Sequence, residues 1–140
     1  MSETNQQLTL PYGITLLRFS LGAMWCAHAM LKLLVFTLPG TAQFFSSIGL
    51  PGVFAYPVFA VELLGGIALI LGYYARQVSL LLMPVLVVAT WVHLPNGWVH
   101  TSPNGGWEYP LFLLMTSIAL WLLGDGALAV RRSSRFVLRR

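Results

Sequence analysis

Charge is what this chain lacks most. Asp, Glu, Lys and Arg together make up 9% of its 140 residues, against roughly a quarter in a soluble domain. Hydrophobic residues reach 57%. A water-soluble fold needs a charged surface that this composition cannot supply, so the sequence reads as an integral membrane protein. Acidic residues are scarcer still, four in all, which leaves few groups able to neutralise a buried cation. A single cysteine, Cys26, excludes an internal disulfide and a CxxC redox centre. The opening MSETNQQLTLP holds no Lys or Arg. It therefore lacks the basic n-region of a signal peptide, and the first apolar run is expected to be retained as a helix. The length suits one membrane domain over 1–140 rather than two domains.

Long apolar runs are what the sequence does have. Crossing about 30 Å of hydrocarbon takes roughly 20 helical residues, and four runs qualify, at about 11–36, 52–74, 77–95 and 108–125. They are continuous and do not alternate with period two, which argues against a β-barrel. The expected fold is all-α, an integral membrane four-helix bundle. Breaks fall at LPGT (38–41), GLPG (49–52), GYYARQ (72–77) and LPNGWVHTSPNGGW (94–107). TAQFFSSI is too short to cross and is read as a brief interfacial helix between spans 1 and 2.

Five of the eight basic residues, Arg131, Arg132, Arg135, Arg139 and Arg140, lie in the last ten positions. Such a basic tail (126–140) after the last span belongs on the cytoplasmic side, near anionic headgroups. Four spans then place both termini in the cytoplasm, and Arg76 in the second loop agrees. No aromatic or glycine pattern accompanies the arginines, so nucleic acid is not expected as a partner. Trp98, His100, Trp107 and Tyr109 suit the outer interface.

Stepping 100° per residue along the first helix puts Arg18, Gly22, Trp25, His28, Ala29 and Lys32 on one face, with Leu17, Leu21, Met24 and Leu31 toward lipid. Glu62, Gly65, Gly66, Leu69 and Tyr73 share a face of the second, where small residues suggest close helix approach. At 1.5 Å per residue His28 lies about 12 Å and Glu62 about 15 Å below the outer ends of their helices. Glu62 is therefore the natural counter-charge for His28, Lys32 or both, since a lone charge in lipid costs several kcal/mol. His93 and Glu108 fall near the same side. The candidates for an outward-facing polar pocket are thus His28, Lys32, Glu62, His93 and Glu108, joined by the aromatic residues Trp25 and Trp91. Arg18, about 15 Å deeper than His28, is assigned to an inner-half network with Tyr73, Tyr74 and Asp125.

Each residue also has a plainer reading. Lys32 and Glu62 could form a salt bridge that only locks two helices, and His28 could be a hydrogen-bonded core residue. Haem ligation by His28 and His93 is disfavoured because their depths differ. His93, His100 and Glu108 lack the tight spacing of a metal site, so no metal is expected. Trp91 and Trp98 fit interface anchors, or platforms for a flat ring such as a quinone.

In order along the chain, LLRFSLGAMWCAHAMLKL, FFSSIGLP, VELLGGIALILGYYAR, NGGWEYPLFLL and LLGDG resemble the DoxX family of small membrane proteins over about residues 14–126. The matching positions include Arg18, Gly22, His28, Lys32, Glu62, Gly65, Gly66, Gly72, Arg76 and Glu108. The chain departs from the pattern at Ala29, where glycine is common, and at Asp125, where proline is common. The resemblance implies a four-helix bundle in the bacterial cytoplasmic membrane that acts as a subunit of a quinone-linked oxidoreductase in sulfur or thiol chemistry. The expected ligand is a quinone or a small anionic sulfur compound, with no covalent cofactor. The expected partners are the bilayer and a membrane or peripheral redox protein, and a homo-oligomer is compatible. Nothing in the chain carries electrons alone, so redox work needs that quinone or partner. The alternative is a non-catalytic scaffold whose polar network only fixes the bundle. A solute carrier is disfavoured by the absence of an inverted repeat.

Overall fold

The computed structural model describes residues 3–134. Five α-helices make up the fold, with no strand among the described residues: α1 (Glu3–Met30), α2 (Leu38–Ser47), α3 (Ala55–Leu71), α4 (Ala75–His93) and α5 (Glu108–Leu123). Three helical stretches are long and apolar enough to cross a membrane, Gln7–Val35, Gly52–Leu71 and Ala75–Asn96. The fourth, α5, is apolar but has 16 residues, about 24 Å at 1.5 Å per residue. Leu16, Leu64, Leu81 and Phe112 each stand more than 60% exposed, an apolar surface suited to a lipid surround.

Neighbouring helices run antiparallel. α3 packs along α1 and α5 along α4, while smaller contacts join α3 to α4 and α1 to α5. The buried centre is apolar and small: Leu21, Trp25, Leu69, Leu82, Leu86 and Leu120, with Ala29 and Ala75 where elements approach closely. Leu21, read as lipid-facing, is buried because α1 is covered by α5 as well as α3. Ser79 Oγ donates to the Ser117 carbonyl at 2.7 Å, a polar tie between α4 and α5.

Element ends differ from the sequence reading in instructive ways. α1 begins at Glu3 and carries Pro11 inside it. Proline lacks the N–H donor and its ring crowds the carbonyl four residues earlier, while the Pro11 carbonyl itself is used by Ala127 N at 2.9 Å and Thr15 Oγ1 at 3.0 Å. LPGT is not a break but the first turn of α2, where Pro39 sits in the early position that tolerates it. Thr37 caps that turn, its hydroxyl accepting from Gly40 N at 3.2 Å. Between α1 and α2 the chain widens into a π-helical turn, Leu31–Val35, closed by Phe36 N donating to Leu31 O at 3.0 Å.

The α1–α3 seam is set by glycine. A Cβ on Gly22 would lie 2.7 Å from the Gly66 carbonyl oxygen, and one on Gly66 would lie 2.9 Å from Cys26 N and Gly22 O. Only hydrogen fits between these backbones, the small-residue contact by which membrane helices associate. We expect Gly66→Ala to lower stability by about 1–3 kcal/mol through overpacking. Gly13→Ala, at a position with nothing within 4 Å, should leave it unchanged or slightly raised. Thermal unfolding of both variants in lipid nanodiscs checks this.

Candidate functional site

In the half of the molecule that holds α2 and the 94–107 loop lies a cavity of about 750 Å³, within the size range of small-molecule sites. Trp25 and His28 reach it from α1, Lys32 from the π turn, Phe44, Phe45 and Ile48 from α2, Glu62 from α3, His93 from α4 and Tyr109 from α5. Apolar side chains form most of the wall, among them Val58, Val85, Leu86 and Leu113.

Lys32 and Glu62 meet here. The ammonium donates to both carboxylate oxygens, at 2.9 Å to Oε1 and 2.7 Å to Oε2. The Glu62 side chain is 4% exposed and that of Lys32 18%, so the pair is shielded on the acidic side and reaches the cavity through the lysine. Lys32 stands on the π-helical turn, an irregularity that often marks functional positions.

His28 does not bond Glu62. Its Nδ1 lies 2.9 Å from the Met24 carbonyl, and its ring stacks on Tyr109 at 5.9 Å between centroids. The Tyr109 hydroxyl points to Met24 Sδ at 3.3 Å. His93 is arranged like His28, with Nδ1 2.7 Å from the Ala89 carbonyl. Trp25 lines the cavity and is buried. Trp91 is 59% exposed and takes no part in the lining.

Glu108 leaves the expected pocket too. It accepts from the backbone N–H of His100 at 2.8 Å and pairs with its ring Nδ1 at 2.6 Å, in a second groove that includes Trp98 and Phe112 and shares His100 and Tyr109 with the cavity. The loop's own fold explains this. Trp107 N bonds Gly97 O and Glu108 N bonds Trp98 O, which brings His100 back over the start of α5. Among the described residues no group of three or more His, Cys, Asp or Glu could hold a metal ion.

At the opposite end Arg18 is 1% exposed, and its partners are not the ones expected. Its Nη1 donates to the carbonyls of Leu69 and Ile70 at 2.9 and 3.1 Å, and its Nη2 to those of Ala127 and Leu128, both at 3.4 Å. The guanidinium thus satisfies the last turn of α3 and the segment after α5. Tyr73 is no part of this network, because α3 ends at Leu71, Gly72 turns left-handed, and the helical phase is lost. Tyr73 is 44% exposed and packs edge-on against Tyr74, on whose ring the Arg131 guanidinium sits. Asp125 serves the backbone instead. It accepts from Arg76 N at 3.2 Å and from the Ser133 N–H and hydroxyl, each at 2.7 Å. Tyr74, which precedes α4, offers that helix no side-chain cap, so Asp125 supplies one from a distance.

Sequence reasoning did not find Tyr109 or the α2 phenylalanines as cavity residues. Tyr109 lies in helical register with Leu113, Ser117 and Leu120, a line that phase arithmetic on the last helix would have exposed. Phe44 and Phe45 gave no comparable signal, since an interfacial helix can turn any face to the protein.

Three apolar helices of spanning length, with a largely shielded ion pair at the wall of an apolar cavity, mark a small helical membrane protein. The DoxX family model matches residues 13–94, and the chain belongs to the DoxX family. It is 37% identical over 118 residues to a protein of Bacillus subtilis (strain 168) named "Putative oxidoreductase CatD", a match covering 84% of each chain. No solved structure matches the chain.

Lys32→Met or Glu62→Gln alone should each lower stability by about 3 kcal/mol, because each leaves an uncompensated charge out of water. The double variant should cost less than either single change, and a double-mutant cycle on thermal unfolding in nanodiscs reads the coupling. Asp125→Ala should cost about 1 kcal/mol, the usual loss for a helix cap. Amide exchange of the first turn of α4 should rise in that variant.

Proposed function

We propose that this chain is the membrane subunit of a quinone-linked redox system and binds the quinone ring in the α2-covered cavity. The single observation that carries this reading is the charge balance of the cavity. Lys32 is the only ammonium lining it among the described residues, and both oxygens of Glu62 already neutralise that group. A small sulfur oxyanion would meet a lysine whose charge Glu62 already neutralises, and no second lysine or arginine lines so apolar a wall. A neutral ring buries against Phe44, Phe45, Val85 and Leu113, and Trp25, His28, His93 and Tyr109 supply polar edges to orient it. DoxX membership and the oxidoreductase name of the B. subtilis relative support redox work. Electrons pass between the quinone and a partner protein, since the chain itself offers no redox group of its own.

In this reading α5 is a fourth span, the helices form a four-helix bundle in the bacterial cytoplasmic membrane, and the whole chain is one domain. Arg76, Arg131 and Arg132 all lie at the end opposite the cavity, which puts that end in the cytoplasm by the excess of positive charge. The cavity then opens toward the outer leaflet.

A second reading follows from the same ion pair. Because Lys32 grips both oxygens of Glu62, the pair fixes α3 against the end of α1, and a scaffold needs no more than that. Purification in native lipid followed by solvent extraction and mass spectrometry separates the two. Quinone should accompany the wild-type protein and Trp91→Phe and be lost from the folded, charge-balanced Lys32→Met/Glu62→Gln variant. A wild-type preparation that carries a protein partner and no quinone establishes the scaffold instead.

A further inference from the structure

We infer that His28 and His93 are paired hydrogen-bond acceptors that make the cavity select the reduced, hydroquinone form of its ring ligand over the quinone. The inference rests on the quinone-binding reading above and adds which redox form the site favours. It follows from the donor and acceptor inventory of the wall. Each histidine holds its Nδ1 against the carbonyl four residues earlier, His28 on Met24 at 2.9 Å and His93 on Ala89 at 2.7 Å. A carbonyl oxygen can only accept, so Nδ1 carries the hydrogen in both rings. In the neutral imidazole the other nitrogen, Nε2, is then a bare acceptor. Neither Nε2 has a hydrogen-bond partner among the described residues, and both side chains line the same cavity.

The remaining polar groups do not reverse this balance. Lys32 directs two of its protons to Glu62, and the Tyr109 hydroxyl goes to Met24 Sδ. His100, which also lines the cavity, turns its Nδ1 to the Glu108 carboxylate. The indole N–H of Trp25 and the third proton of Lys32 are left as donors. A quinone oxygen can accept from those but has nothing to offer an imidazole lone pair. A hydroquinone hydroxyl does both, donating to Nε2 while accepting from a neighbouring donor. Occupied by quinone, the site leaves two acceptors unpaired in an apolar wall. Occupied by hydroquinone, it pairs them, and unpaired buried polar groups are the dearer state. Preferential binding of the reduced form raises the potential of the bound couple, by about 30 mV for each tenfold of preference in a two-electron couple.

The test uses the full chain in nanodiscs under anaerobic conditions, with duroquinone, its hydroquinone and the hydroquinone dimethyl ether as probes in equilibrium titrations. The hydroquinone should bind at least tenfold more tightly than the quinone, and the dimethyl ether, which has the ring but no O–H, no more tightly than the quinone. His28→Phe and His93→Phe should each shrink the preference, while His28→Gln and His93→Gln, whose amide oxygens can accept, should retain part of it. Equal affinity for the two redox forms in the wild-type protein overturns the inference and leaves the quinone reading standing. A preference that survives both Phe variants unchanged overturns the assignment to the histidines. Failure of every probe to bind the folded wild-type protein overturns the quinone reading and this inference with it.

Discussion

The backbone contact between Gly22 and Gly66 fixes what the rest of the molecule can do. With the helices this close, α1 and α3 face each other residue by residue, and polar groups on one side find fixed partners on the other. About two and a half helical turns separate Glu62 from the end of α3 at Leu71. At the cavity side the approach carries Lys32 within 2.7 Å of Glu62. At the far side it lets Arg18 cover the carbonyls of Leu69 and Ile70. Gly72 continues the same constraint, because a Cβ there would lie 2.1 Å from Arg18 Nη1. Two cations are thus accommodated by one seam that only glycine permits.

The two cations are settled by different chemistry, and the scarcity of acid explains why. Of the acidic groups with described side chains, Glu62 is taken by Lys32, Glu108 by His100, and Asp125 by the backbone at Arg76 and by Ser133. Arg18 is left with carbonyls. A guanidinium suits that task, since its planar fork of donors can serve two separate segments at once. Two of the carbonyls it reaches already hold another donor, Leu69 from Gly72 N and Ala127 from Thr15 Oγ1, and the guanidinium takes the second lone pair of each. The charge is therefore dispersed over α3 and the segment following α5 rather than neutralised at a point. Lysine, a compact charge on a flexible stem, instead takes the one carboxylate within reach. The first arrangement holds segments together; the second leaves a polar group at a cavity wall.

Much of this was legible in the sequence because helical phase is a strong signal in an apolar background. Stepping 100° per residue placed Arg18, Gly22, Trp25, His28 and Lys32 together, and depth arithmetic set Glu62 opposite His28 and Lys32, of which Lys32 takes it. What escaped were features that phase cannot carry. Tyr73 was assigned to an inward face that ceases to exist once Gly72 ends the helix. Arg18 and Asp125 attract each other as charges, as expected, but no hydrogen bond joins them: Arg18 donates to backbone carbonyls and Asp125 accepts from Arg76 N and from Ser133, contacts that sequence does not display. Glu108 was placed by its position at the start of a helix, but the fold of the 97–107 loop, held by hydrogen bonds between distant backbone groups, hands it to His100. The π turn was invisible for a related reason. Its sequence, LKLLV, is as good an α-helix former as its neighbours, and only the packing around it decides the extra residue in the turn.

That turn and Thr37, two residues beyond it, concentrate the irregularity of the fold where the cavity is roofed. Thr37 has φ 61° and ψ 154°, a conformation that a β-branched residue adopts only when its surroundings require it. Such strain needs compensation nearby. On one side stands the Lys32–Glu62 pair. On the other stands α2, whose side-chain hydrogen bonds among the described residues all return to its own segment, so apolar contact alone holds it over the cavity. Gly52 lets α2 settle closely, since a Cβ there would lie 2.7 Å from the Ala42 carbonyl oxygen. The wide turn, the strained threonine and the close glycine together bend the chain from a spanning helix into a short one that closes the cavity with Phe44, Phe45 and Ile48. A regular helix through residues 31–37 would carry the chain onward along α1 and leave Glu62 without its roof. The departure from ideal geometry is the feature that turns an ion pair between two helices into one wall of a cavity.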